Sequence, residues 1–218
     1  MRSEVKPLLT AALIFAAILC IYTLSTDSTP MVVQDQHTQP IGEIYGDTIV
    51  GQSFVATENN LNRVDIKLAT YARENTGDII FGIREATSAQ QDIANVTVRA
   101  ESIMDNAYHS FTFDPVLESK GKSYFFYIYS PESTPGNAIT IWYNAGDVYS
   151  NGTAQINDNP IEGDLSFRTY YTHTLLDFTA SFFKKFMRDS LFSLTYIIFI
   201  GVISMLITLL QLREKRAL

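Results

Sequence analysis

Two long apolar segments stand apart from the alternating pattern that fills the middle of the chain. Residues 7–24 and 191–212 are eighteen and twenty-two residues long, and neither segment contains a charged side chain. A helix rises about 1.5 Å per residue, and the hydrocarbon core of a bilayer is about 30 Å thick. Both segments are therefore predicted to be transmembrane helices, the first within residues 1–25.

Basic residues flank the two apolar segments and predict their orientation. Arg2 and Lys6 precede the first segment, and Arg213, Lys215 and Arg216 follow the second. Positive flanks stay in the cytoplasm, so we expect a two-pass protein of the cell membrane with both termini cytoplasmic, residues 213–218 forming a short tail. The first segment lacks an Ala-x-Ala pattern and is long for a signal core, which favours an uncleaved signal-anchor over a cleavable signal peptide.

The residues before the second apolar segment, 174–190, have an amphipathic pattern. Phenylalanines recur there at helical spacing, and lysines lie mostly on the opposite face. Such a helix can lie among lipid headgroups and bind anionic lipid. The alternative is a simple extension of the membrane helix.

Residues 41–173 predict a β domain, and the Gln-rich residues 26–40 before it predict a polar linker. Short alternating segments are separated by turn-forming clusters. The predicted strands are residues 49–56, 61–72, 78–85, 95–103, 109–113, 123–130, 138–143 and 165–172. Eight strands without a helical period favour an all-β, jelly-roll-like sandwich flanked by N- and C-terminal transmembrane helices.

Alternation also predicts which side chains enter the core of this domain. Residues on one phase of a strand share one face of the sheet. The inward set includes Val64, Ile66, Leu68, Ile79, Phe81, Ile83, Leu165 and Phe167. Residues 123–130 are apolar on both phases, which predicts a central strand that is covered on both faces.

A succession of strand and turn segments carries a resemblance. It runs through GQSFVA at 51–56, LNRVDI at 61–66 and TGDIIF at 76–81, and continues through residues 105–106, 119–124 and 136–142. The stretch 41–172 resembles the carbohydrate-binding-module-like β-sandwich domains found outside the membrane in prokaryotic envelope proteins, often beside polytopic glycosyltransferase regions. Here a single apolar segment follows the domain, so the resemblance implies no transferase activity.

Charge and cysteine content narrow the range of partners and functions that this protein can have. Residues 26–173 hold 19 acidic against 8 basic residues, which leaves 11 excess negative charges. Such a domain repels phosphate backbones, so nucleic acid is not an expected partner. The single cysteine, Cys20, lies in the first apolar segment, so no intrachain disulfide can form. Neither apolar segment contains the ionisable side chains that a transport pathway requires.

No catalytic motif emerges from the sequence. The three histidines are scattered, and neither His-Glu-x-x-His nor Gly-x-Ser-x-Gly occurs. We therefore expect no enzymatic activity, with a hydrolase that uses scattered carboxylates as the alternative.

An outward aromatic patch is the main candidate for a ligand site. Tyr71, Trp142 and Tyr170 are predicted on the outer phase of their strands, and Arg84 and Arg168 share that phase. Aromatic faces stack on sugar rings, and guanidinium groups bind hydroxyls or carboxylates. Two alternatives stay open: ordinary packing beneath a loop, and a surface for a protein partner.

Two further features concern ions and modification. Asn144, Asp147 and Asp158 lie in two oxygen-rich loops that would suit Ca²⁺, although EF-hand spacing is absent and solvated turn residues are the alternative. No other cofactor is expected. Asn95 and Asn151 each begin an Asn-x-Thr sequon, the acceptor for N-glycosylation.

These patterns predict a non-catalytic envelope protein. Its partners are expected to be membrane lipid and either surface carbohydrate or envelope polymer. The alternative is an accessory subunit that docks on another integral membrane protein of a larger complex.

Overall fold

The computed structural model describes residues 14–15, 29–172, 183–184 and 186–216. The chain divides into two compact units. One is Ser28–Thr172, and the other consists of the two terminal segments, Met1–Asp27 and His173–Leu218.

Thirteen strands form the central unit within the described residues. In chain order they are β1 (Thr29–Gln34), β2 (Gln39–Pro40), β3 (Ile49–Val55), β4 (Leu61–Ala69), β5 (Asp78–Glu85), β6 (Ala94–Arg99), β7 (Ala107–Val116), β8 (Ser123–Tyr129), β9 (Thr140–Asn144), β10 (Ala154–Ile156), β11 (Asn159–Pro160), β12 (Asp164–Leu165) and β13 (Phe167–Tyr171). A single 3₁₀ turn, Ala100–Ser102, follows β6.

The strands form two antiparallel sheets. In the first sheet β1, β13, β4 and β7 lie side by side, and the last two residues of β4 pair with β9, which also pairs with β2 and β12. The second sheet has the order β11-β10-β3-β8-β5-β6. The prediction of an all-β domain is confirmed.

Aromatic contacts join the two sheets across one core. Phe81 of β5 stacks on Phe111 of β7 with ring centroids 4.6 Å apart and planes 8° from parallel. Phe167 of β13 lies 6.0 Å from Phe54 of β3 and 5.3 Å from Phe126 of β8. The eight side chains predicted to point inward are all fully buried, as alternation required.

The prediction for β8 is confirmed. β8 lies between β3 and β5, and Phe125 and Tyr127, on its outer phase, are only 4% and 6% exposed. Glycine occupies two facing positions: a Cβ at Gly51 would overlap the Phe125 ring, and one at Gly82 would overlap the Tyr127 ring. The missing side chains let both rings lie against the sheet.

A buried polar pair also links the sheets. The Asp164 carboxylate accepts hydrogen bonds from Gln52 Nε2 at 2.9 Å and from the backbone N–H groups of Val148 and Tyr149 at 2.9 and 2.8 Å. Gln52 Oε1 in turn accepts from the Leu165 N–H group. Every strong acceptor is used, which makes the burial of this polar pair tolerable.

The predicted linker is wrong over much of its length. Residues 29–34 form β1, which pairs with β13, and residues 39–40 form β2. Val32 is buried, and the Gln34 side chain is buried with its amide donating to the carbonyls of Gln36 and Leu165. Gln34 is polar but buried, with its amide hydrogen-bonded, so the sequence of this strand looks like a polar linker. Strand β4 ends earlier than predicted because Tyr71 and Ala72 adopt positive φ of 58° and 54°.

Helix α1 (Ser190–Arg216) belongs to the other unit. Its residues Ser190–Leu209 have a mean hydropathy of 2.3 and are long and apolar enough to cross a membrane. Asp189 caps its start, because its carboxylate accepts from the Phe192 N–H group at 3.0 Å. Of the predicted amphipathic segment, residues 183–184 and 186–188 are helical and most others lie outside the described residues.

The first predicted span falls mostly outside the described residues. Ile14 and Phe15 are helical, and the Phe15 ring meets the ring of Tyr196 in α1 edge-on at 6.1 Å. The two-span topology stays a prediction.

Candidate binding site

Strand register gathers polar and aromatic side chains on the outer face of the first sheet. Lys67 of β4 lies opposite Tyr108 of β7, and Asp65 of β4 lies opposite Arg168 of β13. Since alternate residues share a face, Lys67, Tyr108 and Arg168 point away from the core. Asp35, His37 and Trp142 join them through the contacts below. These six residues form the outer-face cluster.

Arg168 and Asp35 anchor one side of the cluster. The guanidinium donates from Nε and an Nη atom to the two carboxylate oxygens at 2.7 and 2.9 Å. Tyr108 Oη donates to Asp35 Oδ1 at 2.8 Å, and the guanidinium carbon of Arg168 lies 4.0 Å from the centre of the Tyr108 ring. The hydrogen bonds from Arg168 are the main cause that lowers the pKa of Asp35, whereas burial raises the pKa of Tyr108.

Trp142 and Lys67 form the other side. Trp142 Nε1 donates to Asn106 Oδ1 at 2.8 Å, which fixes the indole, and the His37 ring meets it edge-on at 5.1 Å. Lys67 Nζ lies 6.0 Å from the ring centres of both Tyr108 and Trp142 and 3.0 Å from His37 Nε2. An ammonium group therefore stands between two partly exposed aromatic rings.

The structure brings together only part of the predicted aromatic patch. Trp142 and Arg168 belong to the outer-face cluster. Tyr170 is on the same face but is 9% exposed, because the guanidinium of Arg63 covers its ring at 3.6 Å. Tyr71 lies in the turn after β4 beneath the guanidinium of Arg73, which is 4.7 Å from its ring centre.

Arg84 lies on the second sheet, away from the cluster. Its Nε atom is 3.2 Å from Asp92 Oδ1, and its guanidinium lies 4.5 Å from the centre of the Tyr127 ring. Tyr127 Oη donates to the same Asp92 carboxylate. The three side chains partner one another, and this arrangement accounts for Arg84 as a structural residue of the second sheet.

Four cluster residues were not among the sequence candidates. Asp35 and His37 fell in the predicted linker, and Tyr108 preceded the predicted strand 109–113. Lys67 lies between the inward-pointing residues Ile66 and Leu68, so alternation places it on the outer phase of its strand, which was the one available signal. Of the other histidines, His109 is half-buried against Phe111, where burial lowers its pKa, and His173 lies outside the described residues.

The predicted calcium ligands lie at two places: Asn144 and Asp147 at the start of the β9–β10 connection, and Asp158 in the β10–β11 turn. Asn144 Oδ1 accepts from the Gly146 N–H group at 2.9 Å, Asp147 is exposed, and Asp158 is at the β10–β11 turn with φ of 62°. No group of three or more His, Cys, Asp or Glu side chains is placed to hold a metal ion within the described part of the chain. The calcium site stays a prediction.

Both predicted acceptor asparagines are exposed. Asn95 lies on β6, opposite Gly82, and Asn151 lies in the turn before β10. Their modification stays a prediction.

Comparison with known proteins assigns this chain to no family. The chain matches no protein-family model and no curated protein. The resemblance to carbohydrate-binding-module-like domains therefore has no support beyond the residues that suggested it.

Proposed function

We propose that this protein is a non-catalytic, membrane-anchored envelope protein that binds carbohydrate through the outer-face cluster. The observation that carries the proposal is the pair of aromatic rings, Trp142 and Tyr108, that flank Lys67 on a partly exposed sheet face. Aromatic faces pack against the C–H faces of sugars, while nearby amine, amide and carboxylate groups bind hydroxyls.

The strand order supports a jelly-roll-like sandwich as the scaffold. The strands β1-β13-β4-β7 of one sheet face β3-β8-β5-β6 of the other. Numbering these eight strands in chain order gives 1-8-3-6 against 2-7-4-5, the order that two Greek keys produce. Such sandwiches serve many functions, so the binding proposal depends on the cluster and not on the fold.

Helix α1 supports the membrane anchor. We propose that residues 7–24 form a second span, which would place the central unit outside the cytoplasm and both termini inside. The basic flanks of the two segments favour this orientation.

The contacts that Asp35 makes favour a binding role over hydrolysis for the outer-face cluster. Glycoside hydrolases generally act through two carboxyl groups that flank the scissile bond. The Asp35 carboxylate is held by Arg168 and Tyr108. Its lowered pKa makes Asp35 poorly suited to the general-acid role, and the six residues of the outer-face cluster include no second carboxyl group to complete the pair.

A glycan array probed with the full-length protein in nanodiscs tests the proposal. We expect binding to a set of envelope-type oligosaccharides and its loss in Trp142→Ala. Tyr45→Ala is the matched control, since Tyr45 is a 38%-exposed aromatic outside the cluster. Binding that survives Trp142→Ala, or no binding by the wild type, would contradict the proposal.

A second candidate function is an accessory subunit of a membrane complex. Helix α1 exposes large apolar side chains, including Leu191 at 75%, Ile197 at 58% and Met205 at 64%. Lipid or another membrane helix must cover them. Stoichiometric co-purification of one integral membrane protein in mild detergent would favour this candidate, and isolation of the chain alone would count against it.

A further inference from the structure

Lys67 differs from every other cation of the central unit. Residues 29–172 contain eight Lys and Arg residues. Seven of them have a carboxylate oxygen within 4.0 Å; they are Arg63, Arg73, Arg84, Arg99, Lys120, Lys122 and Arg168. Among the described residues, Lys67 has no such ion pair. Because acidic residues far outnumber basic ones in this unit, a lysine without a nearby carboxylate oxygen sets this part of the surface apart from the rest.

The close polar neighbour of Lys67 is an imidazole. Its Nζ atom lies 3.0 Å from His37 Nε2, which accepts a hydrogen bond from the ammonium when the ring is neutral. The nearest acidic side chain of the cluster, Asp35, is engaged by the guanidinium of Arg168. No carboxylate oxygen therefore lies within ion-pair distance of Lys67, and Asp35, which the Lys67 charge attracts from further away, is already held by Arg168. Two aromatic rings stand beside this ammonium group.

This arrangement matches a ligand that joins an apolar ring face to one negative charge. Trp142 offers the surface for a pyranose ring, and Lys67 offers the charge-assisted hydrogen bond. Arg168 is already occupied, so the cluster has one available cation. The surrounding acidic residues disfavour ligands that carry dense negative charge.

We propose that Lys67 is a specificity-determining residue that selects a carboxylated sugar, a hexuronic acid unit of an envelope polymer. This inference rests on the proposed carbohydrate-binding function. It adds the chemical class of the sugar and assigns the recognition of its carboxylate to one side chain.

The test uses two probes that share one sugar skeleton, with every carboxyl group either a free carboxylate or a neutral methyl ester. Trigalacturonic acid and its fully methyl-esterified form are titrated into the full-length protein in detergent by calorimetry. We expect the acid to bind at least about tenfold more tightly, the scale of one charge-assisted hydrogen bond. In Lys67→Gln the acid and the ester should bind within about twofold of each other, whereas Lys67→Arg should keep most of the preference.

Lys122→Gln is the matched control, because Lys122 is a surface lysine paired with Glu85 at 3.5 Å. It should leave the acid-to-ester ratio unchanged. Equal binding of acid and ester by the wild type, a comparison that needs no variant, overturns the inference. So does an unchanged ratio in folded Lys67→Gln, or tighter binding of galactose 6-phosphate than of galacturonate.

The glycan array separates this inference from the proposed function. Binding of neutral sugars that depends on Trp142, with no preference for the acid, contradicts the role of Lys67 alone. Absence of any sugar binding contradicts both.

Discussion

Two hydrogen bonds, of 2.7 and 2.9 Å, join the guanidinium group of Arg168 to both carboxylate oxygens of Asp35. They tie the segment after β1 to the surface of β13. His37, two residues further on, is held by a 2.9 Å contact between its Nδ1 atom and the Asp35 carbonyl oxygen. The ion pair thereby places the imidazole against Trp142 and Lys67, which makes it the support of the outer-face cluster.

The Asp35–Arg168 pair predicts a pH-dependent contribution to stability. The hydrogen bonds from Arg168 hold the pKa of folded Asp35 below its ordinary value of 3.8. A depressed folded pKa stabilises the native state above the unfolded pKa, and this contribution is lost as the pH falls through the folded pKa. The two side chains are 33% and 45% exposed, so at pH 7 Asp35→Asn should cost no more than about 1 kcal/mol.

Urea denaturation of the full-length protein in detergent at pH 7 and pH 2.5 measures this contribution. The difference between wild type and Asp35→Asn should shrink at the lower pH. A difference of the same size at both values would contradict the assignment.

The Phe81–Phe111 stack predicts a strong core effect. Both rings are fully buried, and they join β5 of one sheet to β7 of the other. Phe111→Ala should lower the free energy of unfolding by about 3–5 kcal/mol, because it removes buried apolar surface and leaves a cavity. Phe111→Leu should cost clearly less. Equal effects of the two substitutions in chemical denaturation would argue against a packed stack.

The close approach of Tyr127 to Gly82 predicts intolerance of a single methyl group. A Cβ at Gly82 would overlap the Tyr127 ring, so Gly82→Ala should destabilise the protein by about 1–3 kcal/mol. Gly146→Ala is the matched control, since its Cβ would meet only Asn144 Oδ1 at an ordinary 3.5 Å. Thermal melting of the two variants compares them, and equal melting temperatures would show that the ring does not rest on Gly82.

Tyr124 predicts a loss of stability in alkali. Its side chain is fully buried, its hydroxyl has no hydrogen-bond partner among the described residues, and burial raises its pKa to about 12. A raised folded pKa gives stability that is complete below the unfolded pKa of about 10 and is lost as the pH rises towards 12. At pH 11, midway between the two pKa values, the loss should be roughly 1.4 kcal/mol, and it should be absent in Tyr124→Phe.

At pH 7, Tyr124→Phe should leave stability unchanged or slightly increased, because it removes a buried polar group without a partner. Denaturation curves at pH 7 and pH 11 for both proteins decide the point. Parallel losses in the two proteins would place the alkaline effect elsewhere.

Alternation predicted most of the central unit because it reports directly on burial. Phe81 and Phe167 each occupy the inward phase of a strand, and both are fully buried. Helix α1 followed from an uncharged segment of sufficient length. β1 was missed because its buried polar residue, Gln34, satisfies its amide through long-range contacts that the local sequence does not contain.

The candidate site was harder to predict for a related reason. The phase of a strand tells which side chains face outward, but not which sheet the strand joins. Arg84 and Arg168 therefore looked equivalent in sequence, although they belong to different sheets. Asp35 and His37 reach the cluster only because β1 pairs with β13, a contact across more than 130 residues of sequence.

Trp142 allows the most direct test of the central claim, since it is the only tryptophan in the chain. The full-length protein is titrated with the oligosaccharide that binds most strongly on the array, while tryptophan emission and calorimetric heat are recorded in parallel. We predict a saturable change in emission with the same dissociation constant as the heat. Binding seen by calorimetry without any change in Trp142 emission would place the carbohydrate site away from the outer-face cluster and contradict the claim.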